Sequence, residues 1–288
     1  MALLDDEQLK SLSPFFGTGF GRFSAKVMKK ALALDDFIGC YERSAAGGTT
    51  GPDFARNVCL DSGAVYEVAG LEKLAAFKEG PFITISNHPY GGMDGIILVD
   101  VLGHFRSNYK VVVNKFIAIL EAISCNFITV IPTGKKRTAA NAQSIQGIKM
   151  MLRQLAEGHP VGMFPAGAVS NLKPFHGIHD RPWQDAMIRV IQKAGVPVIP
   201  IRFFDGNTKF FYRLGLVSHT LRVMRLPKEV INKRGRQIRL AIGDPIPVEK
   251  QKEYKSVQEF SDFLRHSVYD MELPPKEAFV SRDDVKYD

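Results

Sequence analysis

At 288 residues the chain is long enough to bury a sizeable core, and 45% hydrophobic with 24% charged residues is an ordinary globular composition. Cys40, Cys59 and Cys125 are odd in number and widely spaced, which excludes a disulfide framework or a cysteine zinc site and points to a reducing compartment. A net charge of +8 with a pI near 9.3 points to an anionic partner: nucleic acid, an anionic membrane surface, or an acidic carrier protein or thioester.

The opening run Ala2-Leu3-Leu4 is met at once by Asp5, Asp6 and Glu7, so no secretory signal is expected. Residues 1–62 read as a helical segment. Between Phe15 and Ile38, Phe15, Phe16, Phe20, Phe23 and Val27 alternate with Arg22, Lys26, Lys29 and Lys30. Such a basic amphipathic stretch can lie in a bilayer interface, or it can pack on a core and show its charges to water. Gly17-Thr18-Gly19-Phe20-Gly21 follows no strand and lacks the spacing of a nucleotide loop.

From residue 63 to 273 strand-like and helix-like stretches alternate. Strands are predicted at Val65–Val68, Phe82–Ser86, Tyr109–Val113, Phe127–Ile131, Val161–Phe164, Val196–Phe203 and Ile238–Ile242. Helices are predicted at Asp94–Leu102, Lys115–Ile123, Thr138–Glu157 and Pro182–Ala194. This alternation predicts an α/β fold, with a central, mostly parallel sheet flanked by helices and preceded by the N-terminal helical segment. The longest apolar candidate for a membrane span, Phe116 to Pro132, is short and broken by Glu121 and Asn126, so a peripheral protein is expected. Residues 274–288, after Pro274-Pro275, turn polar and acidic and are expected to fray.

Within this frame the apolar run Phe82–Ser86 breaks at Asn87-His88-Pro89, turns through Gly91-Gly92 and reaches Asp94 before a second apolar run. A strand ending in a polar tip before a helix is where an α/β sheet places its chemistry. An imidazole acting as general base needs a carboxylate to fix its tautomer, and the glycines let the chain fold back so that Asp94 reaches His88. The bland alternative is an Asn-His-Pro turn with a structural histidine. Ile131-Pro132-Thr133-Gly134-Lys135-Lys136-Arg137 is a strand end with a basic turn before a long helix; it could hold a phosphate or carboxylate, or be a solvated loop. Gly162 to Ser170 is again a strand running into a Pro-Gly turn. Arg222 to Arg239 carries seven basic residues against Glu229 alone, suited either to anionic lipid head groups or to a solvated helix face.

Four of these blocks, in this order, resemble the glycerolipid acyltransferases of the lysophosphatidic-acid-acyltransferase type, over about residues 65–245. The first is Asn87-His88 with Asp94, although the family places four residues between His and Asp and this chain has five. The second is the basic turn with Lys136 and Arg137. The third, Phe-Pro-Glu-Gly-Thr-Arg-Ser in the family, is met by Phe164, Pro165, Gly167 and Ser170, with Ala166 and Val169 in place of its Glu and Arg. Val196-Pro197-Val198-Ile199-Pro200-Ile201 resembles the fourth. The Phe-Pro-Ala-Gly form resembles the branch containing bacterial aminolipid, ornithine-lipid-type acyltransferases.

The resemblance implies acyl transfer from acyl-ACP or acyl-CoA, as co-substrate, to the hydroxyl of a lyso-lipid. A lyso-aminolipid is favoured over a lysophosphatidate because the phosphate-pairing Arg is missing. His88 would be the base and Asp94 its orienting partner. Asn87, Lys136, Arg137, Phe164, Pro165, Gly167 and Ser170 would bind substrate, and amides near Gly167 or Gly91-Gly92 would hold the oxyanion. No metal or cofactor is implied. The expected place is the cytoplasmic face of the cell membrane, with an acyl carrier protein or CoA thioester as partner. A hydrolase is disfavoured by the lack of any Gly-x-Ser-x-Gly elbow. Nucleic-acid binding is disfavoured because aromatic residues are not interleaved with the Arg222–Arg239 cations. A non-catalytic lipid-binding module would leave the His–Asp pair without purpose.

Overall fold

A computed structural model describes residues 33–114, 120–130, 142–173, 175 and 177–287. The N-terminal segment ends in helix α1 (Leu34–Ser44), and a Gly-rich break leads to α2 (Gly51–Ser62), which has Pro52 in its first turn. Strands and helices then alternate as β1 (Tyr66–Ala69), β2 (Ile83–Ser86), α3 (Gly92–Phe105), β3 (Lys110–Asn114), β4 (Phe127–Val130), α4 (Ala142–Ala156) and β5 (Val161–Met163). A small antiparallel hairpin, β6 (Asn171–Lys173) and β7 (Gly177–His179), stands apart from the main sheet. It is followed by α5 (Asp185–Ala194), β8 (Val198–Phe203), α6 (Lys209–Val217), α7 (His219–Met224), α8 (Leu226–Ile231) and β9 (Ile238–Ile242). Helices α9 (Val248–Gln251) and α10 (Val257–Tyr269) and strand β10 (Val280–Ser281) come last.

The main sheet has eight strands in the order β10-β1-β9-β8-β2-β5-β3-β4. From β8 to β4 every pairing is parallel; β9 joins β8 antiparallel, β1 runs parallel to β9, and β10 closes the edge antiparallel. Parallel strands are covered on both faces, which is why β2 is buried at every position instead of alternating with water. Alternate residues divide between two cores. Phe82, Ile199 and Ile201 join Phe54, Ile97 and Leu98 beneath α2 and α3. Ile83, Ile85, Val161 and Met163 join Met151, Leu155, Ile188, Ile191, Phe260 and Leu264 beneath α4, α5 and α10. The predicted sheet with helices on both faces is therefore observed, all seven predicted strands included.

Three expectations change. The predicted helix Lys115–Ile123 lies partly outside the described residues, and its remainder belongs to a 3-10 turn, Glu121–Asn126. The run Arg222–Arg239, read as charge rather than structure, begins at the end of one short helix and forms another, Leu226–Ile231, and two more short helices stand where none is predicted, at Lys209–Val217 and His219–Met224. The tail does not fray: Val68 pairs with Val280 and Glu67 with Ser281, and the buried Arg282 reaches into the core to Asp100. A two-residue strand carries too little periodicity to be read from sequence, and the stabilising partner lies far away along the chain. Among the described residues no helix is long and apolar enough to cross a membrane.

Candidate active site

Parallel pairing of β2 with β5, with Ile85 opposite Met163, brings both strands out at the same edge of the sheet. The two loops that follow must therefore emerge side by side. His88, from the first, stacks on Phe164, from the second, with ring centroids 4.1 Å apart and planes 27° from parallel. Asn87 faces the other neighbour: its amide donates to Phe203 O and accepts from Phe203 N, each at 2.8 Å. The Asn87 side chain thus extends the ladder between β2 and β8 beyond the last backbone pair and fixes the direction in which His88 leaves the sheet.

His88 Nδ1 lies 2.8 Å from Asp94 Oδ2, with the approach bent from a straight hydrogen bond. The same oxygen accepts the N–H groups of Tyr90 and Gly91, both at 2.9 Å. Asp94 sits in the first turn of α3, where a carboxylate meets the positive end of the helix dipole. It is fully buried, and its Oδ1 has no hydrogen-bond partner among the described residues. Burial pushes its carboxyl above the ordinary 3.8, against the opposing pull of His88 and the two amides. His88 keeps a partly open edge, with 16% of its side chain exposed. A buried carboxylate behind an accessible imidazole is the arrangement of a general base.

The fifth residue between His88 and Asp94 is absorbed at Gly91, whose φ of 76° and ψ of −121° suit glycine alone. A Cβ there would also meet Leu226 Cδ2 at 2.9 Å and Val169 Cγ2 at 3.0 Å. Gly91→Ala is therefore expected to cost about 1–3 kcal/mol of stability and to lower acyl transfer by more than the loss of folded protein explains. Denaturant unfolding and rate measured on the same preparation check this; an unchanged midpoint and rate would show the turn to be tolerant.

The second loop is a tight turn in which Gly167 N–H donates to Phe164 O at 2.9 Å, with Gly167 at φ 63°. Gln184 N–H then holds Pro165 O at 2.9 Å. Pro165 and Gly167 thus shape the turn, while Phe164 and Ser170 touch the histidine. Ser170 N–H donates to His88 O at 2.9 Å, and its hydroxyl donates to Asp180. Asp180, in turn, accepts the His88 N–H, at 3.2 Å to Oδ2. His88 is held by its backbone from one side and its ring from the other. Asp180 thus reaches the backbone of His88, as Asp94 reaches its ring. His176, Lys136 and Arg137 lie outside the described residues. Of the amides suggested for an oxyanion, those of Gly91 and Gly167 are already donating, to Asp94 and to Phe164 O.

A polar layer braces the His88 loop from behind. Tyr212 OH donates to Pro89 O at 2.7 Å, and Asn207 Nδ2 to Tyr90 O at 3.1 Å. Lys233, completely buried, donates to Asn207 Oδ1 at 2.8 Å and lies 4.6 Å from the centre of the Tyr90 ring. Burial lowers its pKa to about 8. The basic run Arg222–Arg239 is thus neither a lipid-gripping patch nor a solvated face throughout. Arg222 is buried and donates to Ser170 O at 2.9 Å, Arg225 pairs with Glu229 and Arg239 with Asp205. Apart from the i,i+4 pair of Arg225 with Glu229, nothing in the local pattern distinguishes these cations from exposed ones, because the partners of Arg222 and Arg239 come from other elements.

A doubly covered, mostly parallel sheet presenting a carboxylate-backed imidazole at a strand tip defines an α/β enzyme of the general-base type. The acyltransferase family model matches residues 49–274, and the chain belongs to that family. It is 29% identical over 226 residues to a lyso-glycine lipid O-acyltransferase of Phocaeicola vulgatus, covering 76% of this chain and 77% of the relative. It is 28% identical over 272 residues to a lyso-glycine lipid O-acyltransferase of Bacteroides thetaiotaomicron, covering 92% of this chain and 95% of the relative. The resemblance to the aminolipid branch, carried by Phe164-Pro165-Ala166-Gly167, agrees with both names.

Proposed function

We propose that this acyltransferase moves a fatty acyl chain from acyl-ACP or acyl-CoA to the hydroxyl of a lyso-aminolipid, with a lyso-glycine lipid as first choice of acceptor. The observation that carries the reading is His88 Nδ1 at 2.8 Å from a fully buried Asp94 carboxylate, which leaves Nε2 to act on a hydroxyl. The acceptor oxygen attacks the thioester carbonyl carbon as His88 Nε2 takes its proton. The C–S bond breaks on collapse, and the imidazolium returns that proton to the leaving thiolate. Asp94 steadies the transient imidazolium, and the positive end of α3 at Gly92 favours the developing oxyanion. No acyl-enzyme is required.

The acceptor choice rests on the third loop as well as on the relatives. Where the family's Arg would stand, Val169 packs near the Gly91 turn, and the guanidinium that does reach the loop, Arg222, is buried. That favours an acceptor other than a glycerol phosphate. Lys136 and Arg137 are proposed to take the anionic group of acceptor or donor, at the cytoplasmic face of the membrane. The test is purified protein given labelled acyl-ACP or acyl-CoA with lyso-glycine lipid or lysophosphatidate. Transfer to the aminolipid, lowered by roughly 100-fold or more in His88→Ala, supports the reading. Preference for lysophosphatidate overturns the acceptor, and full activity in His88→Ala overturns the mechanism.

A further inference from the structure

Several of the large apolar side chains that the described surface exposes lie on the elements beside the site. Phe175, at the tip of the β6–β7 hairpin, is fully exposed, with Ile178 exposed next to it. Phe210, Leu216 and Val217 are exposed on α6, and Leu221 on α7; Val217 reaches 82%. Helix α6 packs against both β6 and α7, so these residues lie on adjoining elements. Water does not favour such a face on a protein unless something covers it. The charges on it have one sign. Residues 171–179 and 209–224 contain no Asp or Glu, whereas Lys173, Lys209 and Arg213 are exposed.

The same elements hold the catalytic loop from within. The hairpin starts directly after Ser170, which bonds His88 O, and α6 buries Phe211 and Tyr212, the latter bonded to Pro89 O. A surface that is apolar outside, cationic at its margins and joined to His88 inside matches the chemistry of an anionic lipid interface. An acidic carrier protein would satisfy the cations but leave the clustered Phe, Leu and Val side chains without reason. We propose that the outer faces of the β6–β7 hairpin and of α6–α7 dock on an anionic bilayer, setting the His88 edge towards the membrane. This deepens the acyl-transfer reading and rests on it only for the identity of the molecule that arrives there.

The test uses the full chain and sedimentation with vesicles of equal parts phosphatidylglycerol and phosphatidylcholine, against pure phosphatidylcholine. The doubly substituted Phe175→Ser, Val217→Ser chain should lose partition into anionic vesicles by about tenfold, as should Lys209→Gln with Arg213→Gln. A control pair on the exposed end of α2 and the loop after it, Leu60→Ser with Val65→Ser, should bind as the parent does. Activity towards a detergent-dispersed acceptor should stay unchanged in all three, which also reports that they fold. Equal binding by the patch variants and the parent overturns the docking face, as does equal loss in the control pair. A raised KM for acyl-ACP with unchanged vesicle binding overturns it in favour of a carrier-protein surface. Absence of transfer by the parent, with patch-dependent vesicle binding intact, sinks the acyl-transfer reading and leaves the docking face standing.

Discussion

Asp94→Asn is expected to lower acyl transfer by roughly 10⁴-fold, the loss found when a buried, histidine-orienting carboxylate becomes an amide, without lowering stability at neutral pH. The amide oxygen can still accept the Tyr90 and Gly91 N–H groups, so the turn into α3 survives. What is lost is the negative charge that steadies an imidazolium and selects the tautomer leaving Nε2 free. The stability side follows from the pKa. Burial raises the folded carboxyl above 3.8, so the protonated form is the one the fold prefers. Its contribution is complete below the unfolded value and is lost as pH rises through the folded pKa. At neutral pH the ionised Asp94 therefore weakens the fold that depends on it. The variant should unfold no earlier than the parent near pH 7, and the difference in its favour should shrink as the pH is lowered towards 3.8. Thermal unfolding across that range, with transfer rates at pH 7, decides it. A variant that melts early at pH 7 would mean the carboxylate is mainly structural.

Arg282→Ala should be the most damaging substitution away from the site, costing about 3–5 kcal/mol. Arg282 donates to Asp100 Oδ1 through Nε at 3.0 Å and Nη2 at 2.6 Å. Asp100 is completely buried in the middle of α3, and Tyr66 also donates to it. Removing the guanidinium strands a carboxylate whose remaining cationic neighbours are His104 at 3.2 Å and Arg56 at 3.9 Å. Burial alone would raise the Asp100 carboxyl, but hydrogen bonds from His104, Arg282 and Tyr66 outweigh it and hold the group below 3.8. Its stabilisation is thus present above 3.8 and is lost as pH falls through the lowered folded value. The parent should lose stability on acidification more steeply than Arg282→Ala does. Urea titration at pH 7 and in acid measures both effects, and a loss below about 1 kcal/mol at pH 7 would show the tail to be dispensable.

The two predictions mark where the sequence was legible and where it was not. That His88, Asp94, Phe164 and Ser170 would meet was readable because they stand at or between the ends of apolar runs, and parallel strands deliver such positions to one edge. The apolar strands were readable for the same reason: burial on both faces writes a continuous hydrophobic signal. Asp180, Lys233 and Arg222 were not, since each takes its meaning from a partner contributed by a distant element. Buried cations look like surface cations in a string of letters. Arg282 was hidden in the same way, inside a polar tail whose anchoring strand is two residues long.

Phe164 adds a constraint on the pose of the imidazole. Its ring covers one face of the imidazole, while the Nε2 lone pair lies in the ring plane, so the hydroxyl that gives up its proton must lie along the edge of the ring. The stacking therefore fixes the tilt of the imidazole, and with it the one line along which an acceptor hydroxyl can meet Nε2. A smaller residue there, as in Phe164→Ala, would free the ring to tilt and leave room for water beside it, and leakage of the thioester to hydrolysis would report it.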